Sequence, residues 1–421
     1  MAIKKEQDPY KQIIAALLCD IQNTHSEVLT PRALRLTTKK VLSRCEREGM
    51  SFLTKTLPRL GKAFDRALTG EVPLDATKYR FDPLPNSKLP KLLGELFQCI
   101  FSHDGWILPI PCVKSIKSIR QFLYLYYKYE LEYSDACEQE VIDKFIKTDQ
   151  SLAEWNQMFG KVADFIDSHG GSAFDRIKPV WYGAVIRKAR HLLSDVFAFF
   201  DPKDIHPRHG PGAVSTKETL YGKYTFKRVS RRITDVYPLD AYYYASNGHV
   251  CDSLQEIQSL DDGDYPARVV LVPKDSRGPR LISCEPLDIQ WIQQGLSRAM
   301  VSMIERNPLT KDNVHFSDQG PNQRGALLGS SSGRYATLDL NEASDRVSTE
   351  LVRLLFPKHI YMYLMATRSV STLLPGGKEM FLQKFAPMGS ALCFPILSLT
   401  VWSLLTAGAA DADARESILV Y

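Results

Sequence analysis

To about residue 200, apolar residues recur at helical spacing between polar ones and predict a mostly helical region. The apolar run Ile13 to Cys19 follows a mixed-charge leader and is closed by Asp20, which suits a first helix better than an export signal. Thr30-Pro31 supplies an N-cap and a first-turn proline for a second helix running through Arg44. Tyrosines at 124, 126, 127, 129 and 133 form an aromatic stripe, read as core packing before base stacking. From 201 to 265 the pattern breaks into predicted loops and short strands around Pro207, Gly210-Pro211-Gly212 and Asp261-Asp262-Gly263-Asp264. Arg268 to Val272 is a β-branched strand. Tyr335 to Leu340 reads as a strand of a half-buried sheet, Asn341 to Ser344 as a turn. The helix predicted next has Val347, Leu351, Leu354 and Leu355 on one face and Asp345 in its first turn.

Phe385 to Ala410 carries no charge, and its length alone would permit a membrane span. Pro387 and Pro395 interrupt it, small and hydroxyl residues dilute it, and Asp411 and Asp413 follow where a basic flank would stand. The expectation is therefore a helix buried inside a large soluble domain, with no membrane partner.

The chain has 421 residues, 44% of them hydrophobic and 24% charged, which points to two or three globular domains and away from disorder or fibrous repeats. Its formal charge is only +5, so affinity for phosphate must come from local clusters. The eight cysteines are scattered, with no close pair for zinc or redox chemistry, and read as thiols in a reducing compartment.

Local basic clusters exist. Arg32, Arg35, Lys39, Lys40 and Arg44 share the second helix, either as a solvated face or as a phosphate-facing one. Lys223, Lys227, Arg228, Arg231 and Arg232 interleave with Tyr221, Tyr224 and Phe226, the mixture that suits an RNA groove. His209, between Arg208 and Gly210, is expected to serve the loop's structure. Two suggestive strings fail on context. Gly329-Ser330-Ser331-Ser332-Gly333 has a helix before it and a strand after it, the reverse of a hydrolase nucleophile elbow. Gly376-Gly377-Lys378 lacks the rest of a phosphate-binding loop and reads as a turn.

The chemistry concentrates in three later stretches. Asp339 ends one predicted strand and Asp345 starts the next helix, so two hard carboxylates can converge where Mg²⁺ would suit them. Alone, Asp345 could equally favour a helix N-terminus. Upstream, Lys274, Arg277 and Arg280 recur every three residues around a glycine and a proline, a loop able to clamp a triphosphate. Downstream, Met388-Gly389-Ser390 opens the uncharged helix with residues that allow close approach of a sugar or phosphate.

In order and spacing, VPKDSRGPRLISCEP (272–286), SDQGPNQ (317–323), YATLDLNEASDRVS (335–348) and MGSALCFPILSL (388–399) resemble the RNA-dependent RNA polymerases of levivirus-type bacteriophages. The likeness is clear from about residue 206 onward. It implies an α+β right-hand fold, with largely helical fingers and an antiparallel-sheet palm. The division expected is a helical region at 1–205, fingers with the basic loop at 206–330, and a palm at 331–421. The family pattern continues into a strand ending Tyr-Gly-Asp-Asp, and Tyr421 resembles its tyrosine. The thumb, part of the palm and the aspartates of the third motif would then be missing, and the piece as given inactive.

By the same resemblance the reaction is nucleotidyl transfer, in which an RNA 3′-hydroxyl attacks the α-phosphate of an NTP with two Mg²⁺ ions, or Mn²⁺ in their place. Asp339 and the Leu340 carbonyl would bind metal. Asp345 and Ser390, beside Gly389, would read the ribose 2′-hydroxyl. Lys274, Arg277 and Arg280 would neutralise the triphosphate, and Asn322 would help place the nucleotide. Template and product RNA, and host translation proteins as replicase subunits, are the implied partners, in the cytoplasm of a bacterial host. Two alternatives stand beside this reading: a reverse transcriptase, disfavoured by Ser344 where that family has an aromatic gate, and a non-catalytic RNA-binding protein.

Overall fold

A computed structural model describes residues 9–421. The protein is α+β: many helices and one small sheet, divided into two compact units. The first runs to Glu138 and takes back the hairpin tip Pro273–Arg280; the second comprises Gln139–Val272 and Leu281–Tyr421. The boundary between them falls near residue 138.

In the first unit the longer helices are α1 (Pro9–Thr24), α2 (Pro31–Glu48), α3 (Leu57–Ala67) and α4 (Val113–Tyr124). The Thr30 hydroxyl caps α2 as its pattern predicted, accepting from the Ala33 amide at 3.2 Å, with Pro31 in the first turn. Leu18, Val41, Phe52, Phe64, Phe97, Phe101 and Ile119 fill the core. Arg44, counted among the basic residues of α2, is buried. Its guanidinium lies between the rings of Phe52 and Phe81 and pairs with Glu48 at 2.6 and 3.0 Å. Lys40 pairs with Asp82, which leaves Arg32, Arg35 and Lys39 as the exposed cations of that set. The tyrosine stripe is mixed: Tyr126 joins the core, Tyr124 donates to Asp65 at 2.9 Å, and Tyr129 is exposed.

The second unit is built on α5 (Asp135–Gln150, from Gln139 onward), α6 (Ala153–His169), α7 (Val180–Val196), α8 (Leu287–Arg306), α9 (Gly320–Ser332), α10 (Thr349–Leu355), α11 (Lys358–Ala366) and α12 (Cys393–Gly408). α12 is the uncharged segment, and it is a core helix: Ile396, Leu399 and Trp402 pack with Leu193 and Phe197 of the α7 end and Leu296, Met300 and Ile304 of α8. Among the described residues no helix is long and apolar enough to cross a membrane.

Strands β1 (Ala267–Asp275), β2 (Gly278–Cys284), β3 (Ser371–Leu373) and β4 (Glu379–Phe381) form one sheet in the order β2-β1-β3-β4. β1 pairs with β3 in parallel through Ala267 and Thr372, and β3 with β4 antiparallel through Thr372 and Met380. The sheet is mixed, not antiparallel as expected.

Two local expectations are also corrected. Tyr335 to Leu340 is not a strand: it is an exposed coil, with Leu338 78% exposed, because period-two alternation forms a strand only where a neighbour pairs with it. The region 201–265 contains short helices, such as Arg231–Thr234 and Asn247–Asp252, where short strands were expected; its one link of strand type is an isolated bridge between Arg228 and Asp261.

Removing the cap of α2 isolates one of these features. Thr30→Ala is expected to destabilise the first turn by about 1 kcal/mol, read as faster amide hydrogen exchange at residues 32–34 with the α2 centre unchanged.

Candidate active site

In the second unit, the segment around Lys384 runs antiparallel to the entry of α10. Phe385 N donates to the Val347 carbonyl at 2.8 Å, Thr349 N donates to the Gln383 carbonyl at 3.1 Å, and Ser348 bridges Lys384. Just before this pairing the chain makes a 3₁₀ turn, Ser344–Arg346, while Ser348 caps α10 by accepting from the Leu351 amide at 3.2 Å. Asp345 therefore belongs to the turn and not to the helix's first turn. Its side chain is 20% exposed, and Oδ1 accepts from Lys384 Nζ at 3.2 Å.

Lys384 is completely buried. Its ammonium stands 3.6 Å from the Phe145 ring centroid and 3.7 Å from Asp149 Oδ1. Asp149 in turn accepts the backbone amides of Gln383 and Lys384, each at 3.1 Å. Burial pulls the lysine below its ordinary range, while Asp345 and Asp149 oppose that shift. Cys393 at the start of α12 is pushed up to about 11 by burial, with its thiol in hydrogen-bonding reach of Ser344. The Asp345 turn and the beginning of α12 are thus one neighbourhood.

The Met388-Gly389-Ser390 turn precedes α12 by two residues rather than opening it. The Met388 carbonyl accepts from Ser283 N at 2.8 Å, and Gly389 has φ +119°, with the Ser283 carbonyl where a Cβ would stand, so only glycine fits. The Ser390 hydroxyl points inward and donates to Gln293 Oε1 at 3.1 Å. Gln293 holds the same oxygen to Ala391 N at 3.2 Å and donates from Nε2 to the Thr367 carbonyl at 2.7 Å. Glu285 completes this buried layer, accepting from Ser369, and burial raises its carboxyl above the ordinary range. Ser390 thus has its proton committed inside the protein, whereas Asp345 turns an open oxygen outward.

Asp339 and Leu340 lie on the exposed coil, six and five residues before Asp345. Their oxygens are the hard donors that Mg²⁺ takes. The number of donors is short, however: among the described residues no three carboxylate, imidazole or thiol groups converge. Asn322 sits on α9 and donates to Gln319 at 3.3 Å.

The five cations proposed for RNA are not equivalent. Lys223 is buried, its ammonium donating to the carbonyls of Gly210 and Gly212, and so is a loop clamp, out of direct reach of a phosphate. Arg232 donates to the carbonyls of Met365 and Arg368, each at 2.8 Å. Arg228 stacks on Tyr265 with its guanidinium carbon 4.4 Å from the ring. Lys227 and Arg231 are exposed. His209 is packed among Tyr224, Phe226 and Trp291, and burial lowers it to about 4.

In the first unit, Lys274 and Arg280 are exposed on the hairpin tip. Arg277 is tethered: Nε and Nη2 meet the Asp275 carboxylate at 2.9 and 2.6 Å, and the guanidinium lies 4.9 Å over the Tyr127 ring. Tyr133 accepts the Lys274 amide at 3.0 Å. Asp275 is lowered to about 2, first by the Arg277 hydrogen bonds, against the opposing effect of its burial.

Sequence reading missed Asp149, Lys384, Gln293 and Glu285. Lys384 had a faint signal, as the last charge before the long uncharged stretch, and Glu285 lies inside a quoted motif. Asp149 and Gln293 had none.

The Asp275 contact has a pH signature. A carboxyl that titrates lower in the folded than in the unfolded chain contributes fully above about pH 4 and loses its contribution as pH falls toward 2. Of order 2 kcal/mol should disappear over that window. Denaturation of the unaltered chain and of Asp275→Asn at pH 5 and pH 3 checks this: the gap between them should narrow at the lower pH.

The motifs fall within a stretch shared with a known family. The family described as RNA replicase, beta-chain, matches residues 122–421. The RNA-directed RNA polymerase subunit beta of Enterobacteria phage SP is 27% identical over 261 residues, 61% of this chain and 42% of that protein. The RNA-directed RNA polymerase beta chain of Enterobacteria phage GA is 34% identical over 248 residues, 57% of this chain and 45% of that protein. The subunit beta of Qbeta virus strain MX1 is 32% identical over 218 residues, 51% of this chain and 34% of that protein. In each of these the match spans less than half of the relative's length. A match that starts within the helical region and runs through every quoted motif is a family relationship: the chain belongs to the RNA replicase beta-chain family.

Proposed function

We propose that this chain serves RNA-directed RNA synthesis in a phage-infected bacterium, as the part of a replicase that receives the nucleotide and tracks RNA. The observation that carries the reading is the neighbourhood of the Asp345 turn and the α12 entry, where a carboxylate with one open oxygen lies near Cys393, the first residue of a helix that a glycine-only turn precedes. The family relationship and the names of the relatives support it.

In this reading the fold carries fingers and palm elements of a right hand. Asp345 accepts a hydrogen bond from the ribose 2′-hydroxyl, the group that separates RNA from DNA precursors. On the hairpin tip of the first unit, Lys274 and Arg280, with the edge of Arg277 that Asp275 leaves free, are cations able to offset phosphate charge. Asn322 assists nucleotide placement. Asp339 and the Leu340 carbonyl would be oxygen donors to Mg²⁺, which would supply Lewis-acid stabilisation of phosphate charge. Lys227, Arg228 and Arg231 face the RNA backbone. Host proteins complete the replicase in the bacterial cytoplasm.

Titration of the chain with GTP and dGTP in the presence of Mg²⁺ tests the reading. GTP is expected to bind about tenfold more tightly, the worth of one hydrogen bond to a charged group, and Asp345→Ala should remove most of the difference. RNA affinity without any ribonucleotide preference would instead favour a non-catalytic RNA-binding role.

The RNA surface has its own check. Replacing Lys227 and Arg231 together by alanine should weaken RNA of any sequence alike and lower the salt slope of binding by about two. Lys223→Ala, by contrast, should act through stability.

A further inference from the structure

We propose that Lys384 is the residue that positions Asp345 for ribose recognition, with Asp149 as its anchor; this rests on the polymerase reading above. A fully buried ammonium must be paired, and here both partners are carboxylates from distant parts of the sequence. The two are held differently. Asp149 is fixed by two backbone amides and has little freedom left. Asp345 stands on a three-residue 3₁₀ turn and has the lysine as its side-chain hydrogen-bond partner among the described residues. Positioning therefore runs one way, from Asp149 through Lys384 to Asp345.

The geometry suits recognition of one hydroxyl. Lys384 approaches from the protein interior, over the Phe145 ring, and takes Oδ1. Oδ2 has no hydrogen-bond partner among the described residues, and the side chain reaches solvent. An ionised carboxylate is an acceptor only, so a 2′-hydroxyl can donate to it while a deoxyribose has nothing to donate. Ser390 is buried, its hydroxyl donating to Gln293 and accepting from the Leu392 amide, so the open acceptor is the Asp345 oxygen. Without the lysine, the turn would keep its carboxylate but lose its fixed direction.

The experiment compares GTP and dGTP affinities, by calorimetry with Mg²⁺, for the unaltered chain, Lys384→Arg, and the double variant Lys384→Met with Asp149→Asn. The double variant removes the cation together with the carboxylate that would otherwise be left buried and unpaired. The readout is the ratio of the two affinities, because partial misfolding weakens both nucleotides equally. The expected result is a preference for GTP of about tenfold in the unaltered chain, largely kept by arginine and reduced to about twofold or less by the double variant. A clear preference in the unaltered chain that the double variant retains would overturn the role of Lys384 and leave the polymerase reading intact. No preference in the unaltered chain would overturn both.

Discussion

Withdrawing a lysine ammonium from water costs several kcal/mol unless charge and hydrogen bonds replace the lost hydration. Lys384 meets that requirement through Asp149 and Asp345, and the local architecture follows from it. The Asp149 amide contacts fix the end of α5 against residues 383 and 384. The 383–385 segment then pairs with 347–349, which places the 3₁₀ turn and its carboxylate. Beyond it, Gly389 lets the chain pass against the Ser283 carbonyl and deliver Ser390 to Gln293. Each step is a polar contact made inside a core whose apolar walls are α7, α8, α10 and α12.

A buried ion pair is poor evidence for stability, since well-packed apolar residues of similar volume often do as well. Lys384 is better understood as a constraint on direction. A carboxylate on a short turn has two rotatable bonds and can face several ways. An ammonium behind it selects one of them, and the neighbouring lysine backbone is itself strapped to Asp149. Gln293 acts alike on Ser390, with its amide orientation set by the Thr367 carbonyl. Rigid support of this kind is what lets a site separate ligands that differ by a single hydroxyl.

Much of this was legible in the chain as written. The cap at Thr30 and the burial of α12 followed from local chemistry: a hydroxyl before a proline, and prolines and small residues inside an uncharged run. The order of the motifs identified the family. What could not be read was pairing at long range. Asp149 and Lys384 lie 235 residues apart, and neither carries a local pattern that names the other. Tyr335 to Leu340 shows the converse failure, where a sound alternating pattern lacks a partner strand and the segment stays an exposed coil.

Cations show most clearly why composition is a weak guide to a phosphate site. Arg44, Lys223, Arg232 and Lys384 are strongly basic side chains on the page. In the fold, two carbonyls hold Lys223, two carbonyls hold Arg232, two rings and a glutamate hold Arg44, and two carboxylates hold Lys384. Arg277 is intermediate, half committed to Asp275 and half open. A phosphate gains only from charge still free to meet it, so the cations that matter are those the fold leaves unspent. By that criterion Lys274 and Arg280 on the hairpin tip, and Lys227 and Arg231 in the second unit, outrank every buried basic residue in the sequence.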